Sequence, residues 1–130
     1  MDTTNQTEKI EDLSDLLENK NTSLTEKTRV LWKLRVHEKK DEAVKALSKG
    51  LVSDSALLKH EIAYVMGQIG DFSAIPTLEK LLANTKEDCM VRHEAGKFLI
   101  NSMKIKFNKF KKLVNINSEF LFLKINFLVN

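Results

Sequence analysis

Leu57-Leu58-Lys59-His60-Glu61 returns 33 residues later as Met90-Val91-Arg92-His93-Glu94. Each copy is two apolar residues, a basic residue and a His-Glu pair. A period near 33 residues marks stacked helical pairs. In such a stack each repeat touches its neighbours, and equivalent positions line up on one face. The stretch from Ser53 to Glu94 therefore predicts an all-α chain, a short superhelical stack (α-solenoid). It also brings two His-Glu pairs side by side without a sharp turn.

Working outward, Ser53-Asp54-Ser55 offers caps for the helix that carries His60 and Glu61. Ile62, Val65 and Met66 continue that helix, and Gly67 and Gly70 lie near its end. Asp71-Phe72-Ser73 reads as a turn, and Ala74-Ile75-Pro76 opens a partner helix, with Pro76 in the first turn where no backbone donor is missed. Leu78, Leu81 and Leu82 extend it. Asn84 to Asp88 is the next turn, and Met90 to Leu99 is a third copy of a first helix. Upstream, Ile10, Leu13, Leu16 and Leu17 have helical spacing. Ser23 with Glu26 three residues on is a capping-box pattern. It opens a helix carrying Leu24, Val30, Leu31 and Leu34, in which Trp32 is expected in the core, as is Tyr64 further on. His37 to Asp41 is a charged connector. Ala43, Val44, Ala46 and Leu47 form a shorter helix that Gly50 ends. The expected organisation is a disordered N-terminus over 1–9 and a repeat domain over 10–102. Its repeats run over about 10–50 and 51–83, and a third starts in 84–102. A Lys/Asn/Phe-rich tail follows over 103–130.

That tail differs in composition. It holds six Lys, one Glu and five of the seven Phe, and no Ala, Gly, Pro, Asp or Arg. It reads either as a non-native C-terminus, such as read-through into AT-rich sequence, or as a diverged helix with Phe107, Phe110 and Val114 on one side. The net charge of +3 comes from this segment, so the rest is mildly acidic and resembles no nucleic-acid footprint. At 42% apolar residues the composition is that of a globular protein. The single Cys89 suits a reducing, cytoplasmic compartment. The polar N-terminus carries no signal-peptide pattern, and no apolar run approaches a membrane span.

Neither His-Glu pair extends to His-Glu-x-x-His, since Ala63-Tyr64 and Gly96-Lys97 follow. This excludes the zinc-protease pattern. Two imidazoles with at least one carboxylate form the set that suits a non-haem ferrous ion and leaves positions open. The competing interpretation places His60 and His93 in solvent at the edge of the stack. It is weakened by their matching flanks. His37-Glu38 lies 23 residues before His60, outside the repeat frame, and is read as solvated surface. Lys59 and Arg92 either orient carboxylates or stay on the surface.

Ser53 through Tyr64, Gly67-Gln68, Ala74-Ile75-Pro76 and Met90 through Gly96 together resemble deoxyhypusine hydroxylase, and the similarity spans roughly residues 12–99. The resemblance implies HEAT-like repeats in two related halves, each supplying two His-Glu pairs to a di-iron centre. It implies oxygen-dependent hydroxylation of the deoxyhypusine side chain of translation initiation factor 5A. By the same resemblance His60, His93 and Glu94 are ligands of one iron. Glu61 is a further ligand or, better, a contact to the cationic substrate chain. The family's second pair of His-Glu motifs does not occur in these 130 residues. The expectation is therefore a truncated form with ligands for one Fe(2+), open to weak self-association. Two other functions compete: a metal-free helical-repeat scaffold for a protein partner, and a single-metal storage or sensing protein.

Overall fold

The computed structural model describes residues 8–114, and among them every regular element is helical. Six α-helices follow one another: α1 (Ile10–Glu18), α2 (Leu24–Arg35), α3 (Lys40–Lys49), α4 (Ala56–Ile69), α5 (Ile75–Ala83) and α6 (Cys89–Val114). Short 3-10 turns over Gly50–Val52 and Phe72–Ala74 lead into α4 and α5. The chain divides into two compact units, 1–99 and 100–130. The division falls three residues before the change in composition at Met103. In the second unit, residues 100–114 are helical, and the Lys111 ammonium lies 5.6 Å from the centre of the Phe107 ring. The expectations for residues 1–7 and 115–130 lie outside the described residues. Glu8, within the expected disordered N-terminus, is ion-paired with Lys33.

The first unit is a short α-solenoid. Helix α1 packs beside α3, and α2 beside α4, so alternate helices form two layers. Each helix buries one stripe: Leu13 and Leu17 from α1, Val30, Leu31 and Leu34 from α2, Ala43, Val44 and Leu47 from α3. Leu58, Ile62, Val65 and Met66 of α4 continue this core, and Leu78, Val91, Ala95 and Phe98 complete it. Trp32 departs from expectation, being 45% exposed, because it follows Leu31 and is turned about 100° from the buried stripe. The Arg35 guanidinium covers its ring at 5.0 Å from the centroid. Tyr64 is likewise at the surface, its hydroxyl accepting from the Gln68 amide.

Local chemistry starts α2, α4 and α6 at a fixed point. Ser23 Oγ accepts from the backbone N–H of Glu26, and Ser55 Oγ from that of Leu58. Asp88 Oδ1 accepts from the Met90 N–H at the start of α6. His60 therefore stands five residues after the cap Ser55, and His93 five after Asp88. The same offset from Ser23 gives Thr28, and the next position gives Arg29. Only α4 and α6 thus carry His-Glu in this register.

Two glycines differ in their reason. Gly70 ends α4 with φ of 69°, the left-handed conformation glycine favours, and its N–H donates to the Met66 carbonyl. Gly50 ends α3 with φ of −72°, so handedness is not its purpose. A Cβ there would stand 2.7 Å from Ile62 Cδ1. Gly50 lets the end of α3 approach the core face of α4.

Candidate metal-binding face of α4 and α6

His60 stands between Glu61 and Glu94 where α4 lies against the first turns of α6, each carboxylate beside a different ring nitrogen. His60 Nε2 stands 3.4 Å from Glu94 Oε2, and His60 Nδ1 stands 3.4 Å from Glu61 Oε1. The contact to Glu94 crosses between repeats: the His of one helix meets the Glu of the next. Glu94 is 8% exposed, while Glu61 keeps about a third of its side chain in water. Lys97, one turn along α6, donates to both Glu94 oxygens at 3.2 and 3.1 Å.

His93 is exposed and has no hydrogen bond or ion pair among the described residues. Helical geometry gives the reason. Consecutive side chains diverge by about 100°, so when Glu94 points towards α4, His93 turns out of that contact. Among the described residues, no group of three or more His, Cys, Asp or Glu side chains is gathered to hold a metal ion. The donor chemistry nevertheless fits a divalent first-row ion at this junction. An imidazole nitrogen and a largely buried carboxylate face one another across two rigid helices, and both are ligand types ferrous iron takes.

The flanking basic residues have definite partners. Lys59 Nζ donates to both carboxylate oxygens of Glu87, at 2.7 and 2.9 Å, and both side chains are mostly out of water. The hydrogen bond from Lys59 is the main reason the Glu87 carboxyl is held below its ordinary value. Arg92 Nε donates to the Leu82 carbonyl at 2.9 Å, satisfying an acceptor at the end of α5. Lys59 therefore does orient a carboxylate, whereas Arg92 serves a backbone group. The sequence offered a signal for Lys97, which follows Glu94 at the i,i+3 spacing of helix neighbours. It offered none for Glu87, which lies in a charged turn. His37 stands apart in the α2–α3 connector, where its Nδ1 accepts from the Lys39 N–H.

No family model matches the chain. Individual proteins do. The chain is 49% identical over 87 residues to deoxyhypusine hydroxylase of Danio rerio, covering 67% of this chain and 28% of that protein. It is 41% identical over 102 residues to deoxyhypusine hydroxylase of Candida albicans, covering 72% of this chain and 32% of the relative. A structure of human deoxyhypusine hydroxylase in complex with glycerol superposes with a TM-score of 0.65 at 38% identity, over 69% of this chain and 31% of that one. The chain is thus homologous to deoxyhypusine hydroxylases and spans about a third of their length or less.

Proposed function

We propose that this chain is a portion of a deoxyhypusine hydroxylase (deoxyhypusine monooxygenase), an oxidoreductase of hypusine biosynthesis, and supplies ligands for one iron of a di-iron centre. Its substrate is then translation initiation factor 5A bearing deoxyhypusine, met in the cytoplasm. The supporting observation is the approach of His60 Nε2 to Glu94 Oε2 across consecutive repeats, in a chain homologous to these enzymes. His60 and Glu94 are the inner ligands and His93 the third, reached by a change of its exposed side chain. Iron, when bound, supplies the means to activate oxygen for insertion into a C–H bond.

The remaining steps belong to the protein. Glu94 is withheld from bulk water, so its charge is little screened and attracts a cation strongly. Lys97 answers that charge before an ion arrives. Its side chain is 53% exposed, and an exposed i,i+3 pair stabilises little, so it yields to a divalent ion at small cost. Glu61, a candidate ligand as well, keeps about a third of its side chain in water and is suited to hold the cationic arm of the substrate. Among the described residues no helix is long and apolar enough to cross a membrane.

Anaerobic loading with Fe(II), followed by measurement of iron per chain and hydroxylation of the modified factor, tests this. About one ion per chain is expected, lost in His60→Ala and Glu94→Gln and retained in His37→Ala. A parent chain that takes up no iron overturns the proposal. A second copy would bring the second ligand set, so any hydroxylation should rise with chain concentration as a weak dimer forms. A metal-free helical-repeat scaffold is the second reading. It is favoured by the outward position of His93, and the same iron measurement separates the two.

A further inference from the structure

We propose that the Lys59–Glu87 ion pair is the positioning device of the site: it sets the offset between α4 and α6 at which His60 meets Glu94. The inference rests on the metal-binding reading for its purpose, but its geometry stands alone.

Lys59 immediately precedes His60 on the first turns of α4. Glu87 immediately precedes Asp88, the residue that caps α6. The pair thus bolts the base of one donor-bearing helix to the base of the other. Two oxygens of Glu87 accept from one ammonium, and Glu87 Oε1 also accepts from the Asp88 N–H at 2.9 Å. The carboxylate is therefore fixed to its own helix start and cannot swing with its partner. Lys59 and Glu87 side chains are only 15% and 9% exposed. A pair so withdrawn from water gains little net stability over apolar residues, because desolvation offsets attraction. What it does supply is directionality: an ammonium and a carboxylate satisfy one another at one axial position. An apolar contact tolerates sliding. Arg92, reaching Leu82, fixes α6 to α5 but not to α4, so it does not duplicate the bolt. Supporting groups of this kind hold donor geometry to a fraction of an ångström.

Two measurements on the full chain test the assignment. The first needs no metal. In a Cys89→Ser background, H60C and E94C are introduced and the rate at which a short bis-alkylating thiol reagent bridges them is followed. E87Q should slow the bridging at least tenfold, and E87D should slow it less. Thermal melts of the same proteins identify any that fail to fold, and E87D, which keeps the charge, serves if E87Q is among them. An unchanged rate in E87Q and E87D overturns the proposal. The second measurement is Co(II) titration with native His60 and Glu94. E87Q should bind about tenfold more weakly, in the range seen when outer supports of ligands are lost. A parent that is bridged in a Glu87-dependent way but binds no Co(II) refutes the metal reading and leaves the positioning role standing. Equal Co(II) affinity in parent and E87Q refutes the positioning role for the metal.

Discussion

At the scale of single residues, the sequence was most informative where a side chain had to occupy a repeated position. That His60 and Glu94 would lie on neighbouring helices was legible from the 33-residue repeat, which sets both in equivalent turns. The positions of Trp32 and Tyr64 were not. Large aromatic residues favour burial, yet each sits one step beyond a buried neighbour, and phase overrides type. Gly50 is a subtler case, since its small size matters through Ile62, which lies 12 positions away in sequence. Gly50→Ala should destabilise the chain by about 1–3 kcal/mol, the usual cost of overpacking. Ile62→Val, which removes Cδ1, should cost less in the Gly50→Ala background than in the parent. Urea unfolding of the four proteins of this cycle gives the coupling, and simple additivity would refute the contact. Ser14 poses the opposite case. Its hydroxyl is buried with no hydrogen-bond partner among the described residues. Ser14→Ala removes an unsatisfied polar group and should stabilise by about 1 kcal/mol in the same assay.

At the scale of the helix, starts were easier to see than ends. Ser23, Ser55 and Pro76 announce α2, α4 and α5 by local chemistry that needs no tertiary partner. Removing one such cap tests how much it matters: Ser55→Ala should cost about 1 kcal/mol, read from the urea midpoint. Partners between elements escape sequence reasoning because the turn that supplies them has no periodicity. The Lys59–Glu87 pair is the main instance, and it makes a pH prediction. The Glu87 carboxyl is held below its ordinary value in the folded chain, chiefly by the Lys59 hydrogen bond. Its contribution is then complete above the ordinary value and is lost as pH falls through the lowered one. The stability gap between the parent and Glu87→Gln should be constant near neutrality and narrow progressively as pH falls through and below the ordinary carboxylate range, as seen in thermal melts across pH. A gap that widens in acid would contradict the pairing.

At the scale of the whole chain, the solenoid followed from one repeat length, and homology agrees with it. The outward turn of His93 did not follow, because a repeat period aligns backbone positions and leaves side-chain direction to the neighbouring helix. A binding ion adds a whole-molecule signature, since a ligand of the folded state raises its stability by about 2.7 kcal/mol at roughly one hundred times Kd. Co(II) should therefore raise the melting temperature of the parent by several degrees. It should leave the double variant His60→Ala, Glu94→Gln unmoved. The crossed contact between His60 and Glu94 also has a counting consequence. On the proposed reading the metal belongs to a seam, and a stack of n tiles has n − 1 seams. The α2–α4 seam has Thr28 and Arg29 where the motif would stand, so its Glu61 meets no histidine at that place in the register. Two His-Glu tiles give one productive seam, and each tile offers one half to either side. Reversing His and Glu in α4 alone would mismatch that seam while keeping composition, charge and helix intact.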